Sequence, residues 1–383
     1  MPRAREIPRR PSSCDESPDC SRLVPRGAPH REPAATEYER LLGFAREACR
    51  RHARLGDEAD FRVSACSQAL RCAILHCRVN GKGREVNYVL KWRANAGRWV
   101  VAHEYESLCN LHTLSRRAGK FLVIEPVAYS VSPAALLTVQ AAGESAHRYV
   151  RRACRRTASA GDRESVLALL DRAADWLVEL QQLTQASPTS DEARASADGF
   201  LEDWRRLFDE TVAGRLSPGA VRRIEGLMTE LLDTEMQSPR SMGVHGDFGL
   251  GQLLACPDGS LRGLDFELYD MALVSTDAGQ QRITLEYMAA NPWWSRRALE
   301  EMWNCFAEAL IRRGVSSESL LLGYLVALPR RMTVPPRRAG NRAALLLRSW
   351  RHRRWLHSRY PWLEQLADCA SPDAACKLFA GGL

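Results

Sequence analysis

Three oxygen-bearing side chains follow one another in the second half of the chain, within HGDFGLGQLL (His245 to Leu254) and GLDFELYD (Gly263 to Asp270). Asp247 falls in a predicted loop, where a carboxylate can accept a hydrogen bond from a substrate hydroxyl and aim it at an electrophile. Gln252 and Asp265 offer an amide oxygen and a carboxylate, both hard ligands suited to magnesium. This combination is typical of phosphoryl transfer, in which a metal neutralises phosphates while an Asp orients the nucleophile.

An upstream lysine and glutamate fit the same chemistry. Lys91 closes the strand-like run NYVLKW, and Glu104 lies in the following helical run, AHEYESLCNL. A lysine that contacts phosphates needs an acid to orient it, and the next helix can supply that acid. Glu106 is an alternative partner, because the phase of the helix does not decide between the two glutamates.

Each of these residues also has a simpler interpretation. Lys91 alone would be an edge-strand lysine facing water, and Gln252 could be a polar residue at a strand start without a metal contact. Asp265 is harder to explain in this way, because a carboxylate buried in LRGLDFE without a partner would be costly. The order of the whole set favours the phosphate-transfer interpretation.

The surrounding patterns predict two kinds of structure. Helical spacing over residues 37–55 precedes short β-prone runs that turn at NGKG and SVSP, with one helix inserted after the third strand. Beyond Gly143 the pattern is mainly helical, interrupted by the hairpin QLLACPDGSLRGLDFE. That hairpin would bring Gln252 and Asp265 close together.

From about Phe61 onward the chain resembles the aminoglycoside phosphotransferase and choline kinase-like family, which shares the protein-kinase fold. The resemblance is sharpest in VHGDFGLGQLL and LRGLDFELYD. It implies that Asp247 is the catalytic Asp and Asp265 the metal-binding Asp. Lys91 matches the phosphate-contacting lysine of the family, and Glu104 matches its ion-pair partner.

The resemblance also implies roles for the hinge and for a bracing residue. The backbone near Gln140 to Ala142, in LTVQAAG, would hold the adenine edge, and Asp277 would brace the catalytic loop. Two features depart from the family pattern. Gln252 stands where the family usually has Asn, and the phosphate-covering segment SACSQALRC contains no glycine.

The expected fold class is therefore α+β, a protein kinase-like two-lobed fold with a small β-rich N-lobe and a larger helical C-lobe. Residues 1–36, rich in proline and arginine, are expected to form a disordered tail. Residues 37–143 would form the nucleotide-binding lobe, and residues 144–383 the helical lobe with the catalytic loop and the acceptor site.

The composition bears on the compartment in which the protein works and on the partners it could bind. No apolar run is long enough to span a bilayer, and the N-terminus lacks the apolar core of a secretory signal. The 12 cysteines are scattered without a C-x-x-C pair, as expected of thiols in a reducing cytoplasm. The net charge of +8 includes ten arginines between Arg330 and Arg359. A solvated helix face is favoured for them over contact with an anionic ligand, nucleic acid or a membrane surface. A nucleic-acid role is disfavoured because no recognised module accompanies the charge.

The leading hypothesis is a small-molecule kinase that transfers the terminal phosphate of ATP or GTP, with Mg²⁺, to an alcohol acceptor. The alternative is a pseudokinase that binds nucleotide or a protein partner without turnover, which Gln252 and the glycine-free segment motivate. The arginine-rich C-terminal region favours a neutral or anionic acceptor over a polycationic one. Arg337 and Arg338 are the arginines expected to contribute to acceptor binding.

Overall fold

A computed structural model describes residues 35–56, 58–68, 72–93, 98–119, 122–333 and 342–381. Residues 1–34 of the predicted tail lie outside this part, as do residues 69–71 of the phosphate-covering segment and both Arg337 and Arg338. The first helix, α1 (Ala35–Ala53), begins two residues before the expected start of the folded region.

Chain contacts divide the protein into two compact units. Unit 1 comprises the chain up to Ala142 together with Arg262–Glu267, and unit 2 comprises Gly143–Leu261 and the chain from Leu268 onward. The short segment Arg262–Glu267 was expected in the helical lobe. It groups with unit 1 because Gly263 pairs with the chain around Val123 there.

Unit 1 is built on a five-stranded antiparallel sheet in the order β1-β2-β3-β5-β4. Helix α2 (Arg98–Ala118) is inserted between the third and fourth strands, as the sequence pattern predicts. The strands are β1 (Asp60–Gln68), β2 (Ala73–Gly81), β3 (Arg84–Trp92), β4 (Pro126–Val131) and β5 (Ala134–Val139).

Every second residue along the central strands is buried, and these residues form the core of unit 1. In β3, Tyr88, Leu90 and Trp92 are buried, so the residues between them lie on the opposite face of the sheet. Helix α1 covers the buried face with Leu41 and Ala45, four residues apart and therefore on one side of the helix.

Unit 2 is mainly helical. Its helices are α3 (Ala146–Ala153), α4 (Ala160–Thr184), α5 (Ser190–Val212), α6 (Pro218–Met236), α7 (Asp277–Ala289), α8 (Arg296–Arg312), α9 (Ser317–Thr333), α10 (Arg342–Ala367) and α11 (Pro372–Ala380). Capping residues fix several helix starts: Ser159 and Asp162 form a capping box at α4, and Thr189 and Glu192 form another at α5.

Helix α9 is buried on nearly all sides and packs against α7. Two glycines allow this close crossing. A Cβ at Gly279 of α7 would overlap the backbone of Gly323 and Tyr324 in α9, and a Cβ at Gly323 would overlap the Ser275 carbonyl oxygen. These contacts hold the first turn of α7 in a fixed place, which matters because that turn supports the Asp247 loop.

Five short strands lie near the segment HGDFGLGQLL. They are β6 (Glu144–Ser145), β7 (Met242–Val244), β8 (Leu253–Ala255), β9 (Leu261–Gly263) and β10 (Asp270–Ala272). Strand β10 pairs with β7, and β8 pairs with β6. Gln252 ends a 3₁₀ turn (Leu250–Gln252) instead of beginning the strand, and Asp265 lies two residues beyond the end of β9.

The structure confirms the predicted α+β class, with a small antiparallel sheet and a larger helical region. In the part of the chain that the structure describes, no helix combines the length and the apolar character needed to cross a membrane.

Candidate functional site

Strand β3 positions Lys91. It pairs with Ile74 of β2 on one side and Leu136 of β5 on the other, so its backbone is fixed in the centre of the sheet. Its neighbours Leu90 and Trp92 enter the core, and the lysine side chain therefore lies on the opposite face.

Lys91 contacts two carboxylates. Its Nζ lies 2.8 Å from Oε1 and 3.0 Å from Oε2 of Glu104, which α2 holds with only 2% of its surface exposed. The same Nζ donates a hydrogen bond to Oδ1 of Asp265. Glu106, the alternative partner, is exposed on α2. The structure therefore brings together three residues that are far apart in the sequence.

The segment that carries Asp265 is held by backbone pairing. The N–H of Gly263 donates to the Leu122 carbonyl at 3.0 Å, and the N–H of Ile124 donates to the Gly263 carbonyl at 3.2 Å. Asp265 itself has a φ of 62°, in the left-handed region that non-glycine residues seldom adopt. Such a conformation persists only where surrounding contacts enforce it, and it is often found at functional sites.

A second ion pair lies beside the first. Arg93 donates to Glu267, with an Nη1–Oε1 distance of 2.8 Å, and its Nη2 lies 3.7 Å from Asp265 Oδ1. Neither Arg93 nor Glu267 was predicted from the sequence as a site residue. A signal was present, however, because Lys91 and Arg93 are spaced two apart, as are Asp265 and Glu267, each pair around a buried aromatic residue.

The neighbouring carboxylates keep Lys91 protonated. Burial would lower the pKa of Lys91, but the carboxylates of Glu104 and Asp265 outweigh that effect and hold its pKa above the ordinary lysine value. Burial raises the pKa of Glu104, with Asp265 adding to the rise and Lys91 opposing it. Lys91 is therefore a cation at neutral pH and can bind an anionic ligand.

The Asp247 loop lies in unit 2 and is fixed from the first turns of α7. Asp277 accepts the N–H of His245 at 2.9 Å and the N–H of Gly246 at 3.1 Å. Gln280 donates to the Gly246 carbonyl at 2.7 Å, and Gln281 accepts the N–H of Leu250 at 3.1 Å. Asp277 thus makes the bracing contacts that the family resemblance implied. The two glutamines were not anticipated.

Packing completes the support of this loop. His245 is fully buried, and Phe248 stacks on Trp176 and Phe306 with ring centroids 6.0 and 6.4 Å apart. Asp247, between these two anchors, is exposed. An exposed carboxylate on a rigid loop can meet a substrate without moving.

Gly246 is required for this loop geometry. Its φ is 80°, and a Cβ would overlap the Leu268 carbonyl oxygen. We expect Gly246→Ala to lower the free energy of unfolding by about 1–3 kcal/mol, because the strain and overlap cannot both be relieved. Gly251→Ala is the matched control, since a Cβ there meets no atom within 4 Å. Urea denaturation of both variants measures the effect, and equal stability of the two would contradict it.

Asp277 should make stability depend on pH. Burial raises its pKa to about 7, Asp247 adds to the rise, and the N–H groups of His245 and Gly246 oppose it. The folded state therefore keeps a proton that the unfolded chain loses near pH 4. Its stabilising contribution is complete below about pH 4 and is lost as the pH rises to about 7.

Comparison with Asp277→Asn isolates this contribution. We expect the unfolding free energy of the natural protein, minus that of the variant, to fall between about pH 4 and 7 and to level off above. Denaturant titrations across this range measure the difference. Asp233→Asn, the same chemical change at an exposed position of α6, is the control. A difference that rises with pH would show that the sign is wrong.

The remaining predicted site residues lie on both units. Gln252 is half-buried in unit 2, where its N–H donates to the Gly249 carbonyl at 2.8 Å. In unit 1, Gln140 follows β5, and its N–H donates to the Asn87 carbonyl at 2.9 Å. Ala142, two residues on, is exposed. The roles proposed for these three residues remain predictions.

The chain is similar to several solved structures of small-molecule kinases. A glucosamine kinase in complex with glucosamine, ADP and inorganic phosphate is 16% identical over 88% of each chain, with a TM-score of 0.52. A choline kinase from Cryptosporidium parvum is 10% identical, covers 86% of this chain and 98% of its own, and has a TM-score of 0.47.

An aminoglycoside phosphotransferase from Alicyclobacillus acidocaldarius is 14% identical, covers 80% of this chain and 93% of its own, and has a TM-score of 0.39. No protein-family profile and no curated protein matches the chain. The resemblance that the motifs indicated is thus confirmed at the level of the fold, which is that of the glucosamine kinase.

Proposed function

We propose that this protein is a small-molecule kinase, which transfers the terminal phosphate of ATP or GTP to a hydroxyl group of a small acceptor. The observation that carries the proposal is the contact of Lys91 with both Glu104 and Asp265. A buried acid that orients a lysine, beside a second acid on a constrained segment, suits the binding of nucleotide phosphates and their metal.

Unit 1 supplies the residues proposed to bind nucleotide. Lys91 would contact the phosphates, held in place by Glu104. Adenine offers one amino donor and one ring acceptor along its edge, and the backbone carbonyl of Gln140 and N–H of Ala142 are groups of the matching kinds. The N–H of Gln140 already donates a hydrogen bond to the Asn87 carbonyl, so it is not assigned to the adenine base.

The donor set fits magnesium held partly by the substrate. The described residues contain no cluster of three or more His, Cys, Asp or Glu side chains that could bind a metal alone. Magnesium in phosphate-transfer sites commonly uses one or two protein oxygens together with substrate phosphates and water. Asp265 and Gln252 are the residues proposed to hold it. When bound, the metal would neutralise negative charge on the phosphates.

Asp247 is proposed to activate the acceptor. Its carboxylate would accept a hydrogen bond from the acceptor hydroxyl and take the proton as the oxygen bonds to the terminal phosphorus. The bond from that phosphorus to the bridging oxygen breaks, and the nucleoside diphosphate leaves. Because this reaction needs little covalent chemistry from the protein, positioning supplies most of the acceleration, and the braced loop around Asp247 provides it.

A pseudokinase remains the second candidate, because Gln252 stands where the resembled family has Asn. Its side chain is one methylene longer, so an amide oxygen at this position would reach a metal only after local adjustment. A pseudokinase would bind nucleotide or a protein partner but transfer no phosphate. The intact set of Lys91, Glu104, Asp265 and Asp247 favours the kinase, since nucleotide binding alone does not require an acceptor-activating Asp.

A transfer assay separates the two candidates. Purified protein is incubated with ATP or GTP, with and without magnesium, and with panels of sugars, amino alcohols, aminoglycosides and phosphorylated alcohols. Mass spectrometry detects the phosphorylated product. A kinase yields a magnesium-dependent product from one acceptor class. Magnesium-dependent nucleotide binding without any product across the panels would favour the pseudokinase. Absence of nucleotide binding would contradict the kinase and leave only a pseudokinase that binds a protein partner.

A further inference from the structure

A cavity of about 510 Å³ in unit 2 lies outside the residues assigned above. Its walls come from the end of α7, the start of α8, the second half of α10, and the chain between α3 and the first turn of α4. Its size is that of pockets that bind small molecules. Five arginines line it, namely Arg156, Arg163, Arg296, Arg354 and Arg359.

The positive charge of this arginine pocket is not balanced from within. Among its described lining residues, Glu286 is the one carboxylate, and it is already engaged. Its Oε1 accepts from Arg282 at 3.0 Å and Arg359 at 2.8 Å, and its Oε2 accepts the Tyr324 hydroxyl at 2.9 Å and the Trp355 N–H at 3.4 Å. Glu286 therefore neutralises buried cations, and Arg296 pairs with Glu300 of the same helix at 3.0 Å. The remaining positive charge of the pocket comes from Arg156, Arg163 and Arg354.

Two of the lining arginines are available for a ligand. Arg163 and Arg354 are exposed, and neither forms an ion pair with any residue that the structure describes. Arg354 lies over the Trp350 ring, with 5.5 Å from its guanidinium carbon to the ring centroid. Two further arginines are fixed by their surroundings, because Arg359 is 6% exposed and Arg156 donates to the Pro292 carbonyl at 3.0 Å.

Helix α8 adds to the positive field. Ser295 caps its start by accepting the Ala298 N–H at 3.2 Å, and Ser295 and Arg296 both line the pocket. The first turn of a 17-residue helix carries partial positive charge from its unpaired N–H groups. The helix end and the arginines therefore favour the same kind of ligand.

The pocket is remote from the Asp247 loop within unit 2. Helix α7 supports that loop with Asp277 at its first residue, whereas Ala289, its last residue, lines the pocket. Twelve residues of α-helix separate the two positions by about 18 Å along the helix axis. A phosphate in this pocket would therefore not be the one that the Asp247 loop acts on.

We infer that this pocket is a second ligand site, which binds a small molecule through its phosphate groups. Guanidinium groups match phosphate oxygens with paired hydrogen bonds, and several around one cavity suit a ligand with more than one phosphate charge. The site does not depend on the kinase proposal, because none of its residues is assigned to nucleotide binding or to acceptor activation.

Pyrophosphate binding to the full chain, without nucleotide or metal, tests this inference by isothermal titration calorimetry. The variant Arg163→Gln/Arg354→Gln removes two pocket cations that have no described ion pair. The matched control is Arg194→Gln/Arg205→Gln, which removes the same charge from the exposed face of α5.

We expect the pocket variant to bind pyrophosphate about tenfold or more weakly, since each lost charged hydrogen bond costs more than a neutral one. The control should retain the affinity. Three results would overturn the inference: no saturable binding by the natural protein, an equal loss in the control, or unchanged affinity in the pocket variant. None of these results depends on whether phosphate transfer is detected.

Discussion

Asp247→Asn is expected to lower kcat for phosphate transfer by about 10²- to 10⁴-fold, the usual contribution of a positioned general base. The amide can still occupy the loop but cannot take the proton of the acceptor hydroxyl. Nucleotide affinity should change little, because the residues assigned to nucleotide binding lie in unit 1. Steady-state kinetics with saturating acceptor, together with a nucleotide titration, measure the two quantities.

The fold should tolerate this substitution, since Asp247 is exposed and the loop is held by Asp277, Gln280 and Gln281. Asp233→Asn makes the same chemical change at an exposed position of α6 and serves as the control. If Asp247→Asn retained full kcat with its fold intact, Asp247 would not be the base. If it lost nucleotide affinity instead, its role would be in binding.

Lys91→Met is expected to weaken both stability and activity. It leaves Glu104, which is 2% exposed, without its cation, and removal of one partner of a buried ion pair costs about 3–5 kcal/mol. It also removes a charge assigned to the nucleotide phosphates, and loss of one such group lowers kcat by about 10²- to 10³-fold. Urea denaturation and transfer kinetics measure the two effects separately.

Lys82→Met is the matched control, because Lys82 is exposed at the turn between β2 and β3 and forms no ion pair with a described residue. It should leave stability and kcat close to those of the natural protein. A Lys91→Met variant as stable and active as this control would show that the cluster with Glu104 and Asp265 is neither structural nor catalytic. Loss of stability with unchanged kcat would limit Lys91 to a structural role.

Patterns local to the sequence were sufficient to predict most helices and strands and to single out Lys91, Glu104 and Asp265. The alternation in β3 placed Lys91 at the end of a buried strand, and helical spacing placed Glu104 on the helix that follows. The order of the motifs along the chain then indicated that Asp265 acts together with Lys91 and Glu104. These features depend on residues close in sequence or on a spacing that recurs in the resembled family, so sequence alone could indicate them.

Other parts of the site depend on contacts that no local pattern encodes. Arg93 and Glu267 are separated by 174 positions, and their ion pair forms only when the segment after β9 joins unit 1. Gln280 and Gln281 reach the Asp247 loop because α7 is fixed by its crossing with α9. The left-handed backbone of Asp265 likewise comes from its surroundings, since aspartate does not require that conformation.

The structure shows that the arginines of the C-terminal region have different environments. A solvated helix face was the expectation favoured for them. Arg359 is instead buried against Glu286, and Arg351 lies over the rings of Tyr287 and Trp294. Arg354 lines the arginine pocket. The number of these arginines can be read from the sequence. Which of them pack against other side chains and which face a cavity can be seen only in the structure.

The most direct test of the kinase proposal is a single-turnover experiment with excess protein, magnesium and ATP labelled in its terminal phosphate. The acceptor is the compound that the panels identify, and rapid quenching follows the label over time. If the protein is a kinase, the label passes to an acceptor hydroxyl in the natural protein, and Asp247→Asn slows this step. Label that stays on ATP, or passes only to water at the same rate in both proteins, would contradict it.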